Sequence, residues 1–220
     1  MVIKVYTVSG APRGWRVLLG LAFKKLNYDI QLLEFSKGDL TSEEFLKLNP
    51  RAKVPVLVDG PVTIRDSIAS LLWLDRAYPD NPLFGSRINE TADILQTTFE
   101  LSEYLRAAQN NVVRPVFFEG AEKKTPELFK AAEILTDEIN KLEVMLEGYP
   151  FLRGDTPTAA DAVAFPELKI IQRAVETKKN IMSQLGFDGP EPFSPKVTEW
   201  IYRLDSYSGV SNTFPPHWKE

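Results

Sequence analysis

Two short stretches of the chain carry residue types suited to holding a small zwitterion. One is Lys53-Val54-Pro55-Val56-Leu57-Val58-Asp59-Gly60, the other Arg65-Asp66-Ser67-Ile68-Ala69. The first reads as a strand entered through a proline and closed by a turn. A proline at such an entry can follow a cis bond. A cis Pro55 would hold the N–H and C=O of Val54 outward, free to pair with a ligand's backbone. The second stretch reads as a helix start, whose N–H groups accept a carboxylate while Asp66 offers an acid to an ammonium. Together they suit a small peptide-like ligand with both charges. Each residue also has a plainer use: Ser67 as an N-cap, Asp66 as a first-turn acid, Lys53 as a solvated surface charge. The Val-Pro strand beside the helix start favours the ligand.

Those residues need elements to hold them. Residues 2–8, with Val2, Ile3, Val5, Tyr6 and Val8, read as a buried strand. Ser9-Gly10-Ala11-Pro12 is a turn. From about Gly14, the residues Val17, Leu18, Leu21, Ala22 and Leu26 recur at helical spacing, and Tyr28 to Phe35 alternates as a second strand. Thr41-Ser42-Glu43-Glu44 has the form of a capping box with Thr41 as N-cap, opening a short helix with Phe45 and Leu48. Strand 54–58, turn 59–61, strand 62–65 and helix 67–77 follow. The order βαβαββα predicts a parallel pair joined by a right-handed crossover, then a hairpin, hence a mixed four-stranded sheet.

Tyr78-Pro79-Asp80-Asn81-Pro82-Leu83-Phe84-Gly85 is dense in helix and strand breakers. It predicts a linker over 80–86, with a first domain at 1–79 and a second at 87–220. The second domain reads as helical throughout: Ile88, Ala92, Leu95, Phe99 and Leu105 in 87–111; Leu128, Ala131, Leu135, Ile139, Leu142 and Leu146 in 126–147; Ala162, Phe165, Leu168, Ile171 and Val175 in 158–178; Val197, Trp200, Ile201 and Leu204 in 195–206. Strands first and helices afterwards predict an α+β domain followed by an all-α one.

Composition narrows the chemistry. The 220 residues are 44% hydrophobic and 25% charged, the balance of an ordinary globular protein. A formal charge of -4 without a dense Lys/Arg block gives no footprint for nucleic acid. The chain has no cysteine, which excludes disulfides, thiolate zinc sites and a cysteine nucleophile, and suits a reducing cytoplasm. One histidine, His217, cannot build a multi-histidine metal site. Met1-Val2-Ile3-Lys4 lacks the layout of a signal peptide, and no apolar run approaches the ~20 residues of a membrane span.

Taken together the pattern resembles the cytosolic glutathione transferase family over nearly the whole chain, as a bacterial-type member with an atypical catalytic turn. Asn49-Pro50-Arg51-Ala52-Lys53-Val54-Pro55-Val56-Leu57 is similar to the family's NPxxxVPxL segment, Arg65-Asp66-Ser67-Ile68-Ala69 to its acid-Ser-x-Ala helix start, and Pro157-Thr158-Ala159-Ala160-Asp161-Ala162 to its C-terminal-domain capping segment. The resemblance implies a thioredoxin-like first domain, an all-helical second domain, glutathione as co-substrate without a metal, and a homodimer. It implies that Val54 pairs with the cysteinyl backbone of glutathione as an added antiparallel rung. Ser67 would bind the γ-glutamyl carboxylate, Asp66 would sit near the γ-glutamyl ammonium, and Lys53 would reach the glycyl carboxylate. Trp15 would cover the bound peptide or the second substrate, or else anchor its helix. Thr158 and Asp161 form a capping box that serves folding rather than chemistry.

The turn Ser9-Gly10-Ala11-Pro12-Arg13-Gly14-Trp15-Arg16-Val17 departs from that family. Alignment on Pro12 and on Arg16-Val17 places Ala11 where a Ser or Cys stabilises the glutathione thiolate, and alanine has nothing to donate. Three substitutes stand nearby. Arg13, with backbone N–H groups at the helix start, supplies positive potential. Ser9 supplies a hydroxyl two residues upstream. Tyr6 supplies a phenol on the first strand, where a core role is the plainer reading. Tyr104, Phe117, Phe118 and Trp200 are candidates for an aromatic wall of the second-substrate pocket between the domains, each with a core alternative. The function implied is conjugation or reduction of small apolar electrophiles with glutathione. The alternatives are a non-catalytic glutathione- or ligand-binding protein, and a glutathione-dependent lyase or isomerase.

Overall fold

The computed structural model describes residues 2–118, 125–189 and 191–218. They form two compact units, residues 1–92 with 205–220, and residues 93–204.

In the first unit, strand β1 (Ile3–Thr7) alternates inward and outward side chains, as the sequence predicts. Helix α1 (Pro12–Phe23) opens on a proline, where the missing N–H has no partner to lose. Strand β2 (Tyr28–Leu32) runs parallel to β1 from Ile3 opposite Tyr28 to Thr7 opposite Leu32. It stops short of the predicted Phe35, which enters a 3-10 turn. Helix α2 (Glu43–Leu48) is capped by Ser42, not by the predicted Thr41: Phe45 N–H donates to Ser42 Oγ at 3.2 Å, while Thr41 closes a 3-10 turn by donating to Gly38 C=O. Strands β3 (Val56–Asp59) and β4 (Val62–Ile64) form the expected hairpin, and helix α3 (Ser67–Ala77) follows. The sheet order is β2-β1-β3-β4, with β3 antiparallel to both neighbours. This is the mixed sheet of a thioredoxin-like domain. Helix α1 packs against α3 through Gly20, where an added Cβ would lie 2.3 Å from Leu71 Cδ2.

The predicted linker is part of this unit. Leu83 and Phe84 are fully buried, and Leu83 N–H donates to Asp75 Oδ1 at 2.5 Å. The buried Lys24 ammonium donates to the carbonyls of Asp80 and Asn81 at 2.8 and 3.1 Å. The breakers therefore mark a bend that packs, because two large apolar residues follow them. The chain also returns: residues 205–220 belong to the first unit rather than to the predicted helical domain.

The second unit is helical among its described residues. Helix α4 (Ile88–Glu100) runs through a π turn at Leu101–Leu105 into α5 (Arg106–Phe118). Helices α6 (Pro126–Met145), α7 (Ala159–Thr177), α8 (Lys179–Gln184) and α9 (Pro195–Asp205) complete it. The apolar faces predicted for α7 and α9 are buried as expected. That of α4 is not: of its predicted residues Leu105 is buried, but Ile88 is 86% and Phe99 54% exposed, and Ile94 and Leu101 point inward instead. Thr97 and Thr98 are buried beside Ile94, so polar residues occupy part of the inward stripe and the periodicity points to the wrong face. No helix of the described residues is long and apolar enough to cross a membrane.

Candidate functional site

The sheet register brings three chain segments to one end of β1. Tyr6 is opposite Val56, so the end of β1 and the start of β3, which Val54 and Pro55 precede, lie at one end of the sheet, beside the β1–α1 turn. Leu57 is opposite Ile64, so β4 ends, and the lead into the helix at Ser67 begins, at the same end of the sheet as the start of β3. Val8 and Val54 both pack on the cluster of Leu40, Phe45 and Val56.

At the centre of this row, the Val54–Pro55 peptide is cis. Among the described residues neither the N–H nor the C=O of Val54 has a hydrogen-bond partner. The approach to it is held by Asn49, which is buried. Its Nδ2 donates to Lys53 C=O at 2.6 Å and its Oδ1 accepts from Arg51 N–H at 3.1 Å. Asn49 belongs to the sequence motif, but its organising role is not legible there, because a buried side-chain amide bridging its own loop has no periodic signature. The Lys53 side chain is exposed.

On one side of Val54 lies the start of α3. Asp66, not Ser67, is the N-cap: its Oδ1 accepts from both Ile68 N–H and Ala69 N–H at 2.9 Å. Ser67 is the first helical residue, buried, and neither its N–H nor its hydroxyl is bonded among the described residues. Asp66 Oδ2 is likewise uncommitted among the described residues. Two donors and a carboxylate oxygen thus stand on adjacent residues, at the positive end of a helix dipole. This arrangement fits the carboxylate and ammonium of an α-amino acid.

On the other side lies the start of α1. Ala11 N–H donates to Val8 C=O at 3.0 Å, closing a turn with Gly10 at φ 78, a left-handed position that glycine takes without strain. Ala11 is the N-cap and carries no capping side chain. With Pro12 lacking an N–H, the N–H groups of Arg13 and Gly14 are the open donors of this helix, and neither has an acceptor among the described residues. Arg13 itself is exposed, with no ion-pair partner there. Helix and strand meet closely: a Cβ on Gly14 would lie 1.8 Å from Thr7 Oγ1.

The other sequence candidates separate. Tyr6 lies inside β1, packing on Phe45 with ring centroids 6.2 Å apart, a member of the cluster beneath the turn rather than of the turn itself. Trp15 is 2% exposed, donates Nε1–H to Thr213 Oγ1 at 2.8 Å, and meets Phe214 and Trp218 edge to face. It is a helix anchor, and a buried ring cannot cover a ligand. Trp200 is fully buried in the second unit, on Phe165 and Asp161, so it is core rather than pocket wall. Tyr104 is 56% exposed on the π turn, Phe117 is half-buried and Phe118 is 82% exposed. Tyr104 precedes Phe117 by about 20 Å of helix, so the expected wall does not hold together around one small molecule.

One relationship leaves no trace in the local sequence. Ser9 Oγ lies 2.6 Å from Nδ1 of His217, 208 residues away. No local pattern reveals such a pairing. Among the described residues no cluster of metal-ligating side chains occurs.

Two family models match the chain. One, the glutathione S-transferase N-terminal domain, covers residues 1–76, and the other, the C-terminal domain, covers residues 105–204. The chain is 30% identical over 170 residues to Glutathione S-transferase 1 of Dianthus caryophyllus, spanning 76% of each protein. It is 32% identical over 164 residues to Maleylacetoacetate isomerase of Dictyostelium discoideum, spanning 71% of this chain and 74% of that one. The crystal structure of a glutathione S-transferase from the Antarctic clam Laternula elliptica is similar, with a TM-score of 0.75 at 27% identity, covering 100% of this chain and 95% of that chain.

Proposed function

The chain belongs to the glutathione S-transferase family, and on that premise we propose how its own residues hold glutathione and activate the thiol. It is a glutathione-dependent enzyme with glutathione as co-substrate. The observation that carries the assignment is the row of uncommitted polar groups at Val54, Ser67 and Asp66. Val54 pairs through N–H and C=O with the cysteinyl residue. Ser67 donates its N–H and hydroxyl to the γ-glutamyl carboxylate, Asp66 Oδ2 takes the ammonium, and Lys53 meets the glycyl carboxylate.

This binding directs the cysteinyl sulfur toward the β1–α1 turn. Ala11 contributes only its backbone there. The N–H groups of Arg13 and Gly14, the Arg13 guanidinium and the helix dipole favour the thiolate, and Ser9 adds the hydroxyl. The thiolate then attacks a small apolar electrophile.

A second reading, glutathione-dependent isomerisation, draws support from the 32% identity to an isomerase. The same thiolate would add to a conjugated double bond, allow rotation, and leave again, so glutathione would not be consumed. We further assign a homodimer, supported by the exposed Ile88 and Phe99 eleven residues apart on one face of α4, and a cytoplasmic detoxifying role, which the cysteine-free chain suits.

Turnover of a generic aryl halide with glutathione, run beside a glutathione titration, tests the function. Binding together with conjugate formation is the expected result. Binding without turnover of aryl halides, hydroperoxides or conjugated alkenes would assign the fold to ligand binding instead. Sedimentation at twice 24.9 kDa is expected for the dimer, and at 24.9 kDa would overturn it.

A further inference from the structure

The C-terminal segment is fastened across the β1–α1 turn. Thr213 accepts from Trp15 Nε1–H at 2.8 Å, Phe214 and Trp218 flank the Trp15 ring, and Trp218 N–H donates to Pro215 C=O at 3.0 Å. These contacts set the imidazole of His217 over Gly10, where an added Cβ would lie 3.0 Å from its Cε1. Nδ1 is then 2.6 Å from Ser9 Oγ.

A serine hydroxyl has one hydrogen to give and lone pairs to receive another. If Nδ1 carries no hydrogen, Ser9 donates its own to the ring and has none for a ligand. If Nδ1 carries one, it donates to Ser9 Oγ, and the hydroxyl hydrogen is free to point elsewhere. We propose that His217 is a positioning residue for thiol activation, its Nδ1–H donating to Ser9 Oγ so that the Ser9 hydroxyl donates to the glutathione sulfur. This rests on the reading that Ser9 serves the thiolate. It explains how a turn with Ala11 at the usual donor position still presents a directed hydroxyl. Proton bookkeeping is simple: the ring keeps its hydrogen, Ser9 keeps its hydrogen, and both bonds are donated in one direction along the chain Nδ1–H to Oγ–H to sulfur.

The test uses the full chain and the pH midpoint at which bound glutathione ionises, read from thiolate absorbance. His217→Phe keeps an aromatic ring beside Trp218 but removes the donor. It should raise the midpoint by about one unit, a tenfold loss of thiolate at fixed pH, with glutathione affinity changed less than about twofold. Ser9→Ala should raise it as much, and the double variant no further, since the two act in series. His217→Asn, whose amide can donate, should recover much of the loss. A wild-type midpoint in His217→Phe with a raised one in Ser9→Ala would overturn the role of His217 and leave that of Ser9 standing. A wild-type midpoint in Ser9→Ala would overturn both, while glutathione binding at Val54 and Ser67 stood. Should His217→Phe fail to fold, nitrogen NMR of the unsubstituted protein decides. The chain has one histidine, so its ring signals are unambiguous. With glutathione bound, Nδ1 should carry a hydrogen, and an Nδ1 without one would overturn the proposal.

Discussion

Trp200 donates its indole N–H to Asp161 Oδ1 at 2.7 Å, and both side chains are wholly buried within the helical unit. The same carboxylate accepts from Leu152 N–H at 2.9 Å and from Thr158 N–H at 2.7 Å. One aspartate thus caps α7, fixes the preceding loop and satisfies the largest ring on α9. Asp161→Ala leaves those three donors buried without an acceptor, each worth ~1–3 kcal/mol. The expected outcome is a loss of about 3–5 kcal/mol in chemical denaturation, with glutathione affinity per folded molecule nearly unchanged. A large loss of affinity in protein that remains folded would remove the purely structural role.

The same residue should leave a signature in the pH dependence of stability. Burial pushes the Asp161 carboxyl up to about 6 from an ordinary 3.8, against the pull of its hydrogen bonds toward the charged form. Because the folded value lies above the unfolded one, the native state holds the proton more tightly. The contribution is therefore full below about pH 4 and is lost as pH rises toward 6, by up to about 3 kcal/mol. Asp161→Asn cannot titrate. The difference in unfolding free energy between wild type and Asp161→Asn should fall over that window, and a flat difference between pH 4 and 7 would contradict it.

Gly14 should tolerate no side chain. A Cβ there would lie 1.8 Å from Thr7 Oγ1 and 2.7 Å from Thr7 Cβ. The nearer carbon belongs to a short β-branched side chain on a strand, which has little room to swing away. Gly14→Ala is expected to cost roughly 2–3 kcal/mol through overpacking, measured by thermal or denaturant unfolding. Stability within half a kcal/mol of wild type would show that α1 and β1 part more easily than their packing indicates.

Arg13 is the exposed cation at the start of α1. Arg13→Gln should raise the ionisation midpoint of bound glutathione by about half a unit to one unit, the partial loss expected when one of several favourable fields is removed. The N–H groups of Arg13 and Gly14 remain, so the midpoint should still lie below that of free glutathione. An unshifted midpoint would assign the activation to Ser9 and the backbone alone.

The sheet, α3 and the faces of α7 and α9 were legible because local rules and tertiary packing agree there. Val54-Pro55 and Asp66-Ser67 could be read together because each is a local device whose chemistry lies in consecutive residues. The face of α4 misled because the buried stripe includes Thr97 and Thr98 while apolar Ile88 and Phe99 lie outside. Trp15 and Trp200 were ambiguous because an aromatic at helical spacing serves a core or a pocket equally well, and only its surroundings decide. The Ser9–His217 contact and the return of residues 205–220 to the first unit were invisible for a different reason. They join positions some two hundred residues apart, and nothing periodic connects them.

Calorimetric titration of glutathione into the wild type and into Ser67→Ala is the most direct test of the central claim, that the row formed by Val54, Ser67 and Asp66 holds the tripeptide. Wild type should bind saturably, one glutathione per chain. Ser67→Ala keeps the backbone N–H but loses the hydroxyl, and should bind about tenfold more weakly, a loss near 1.4 kcal/mol typical of a hydrogen bond to a charged group. No binding by the wild type, or an unchanged affinity in a folded Ser67→Ala protein, would contradict it.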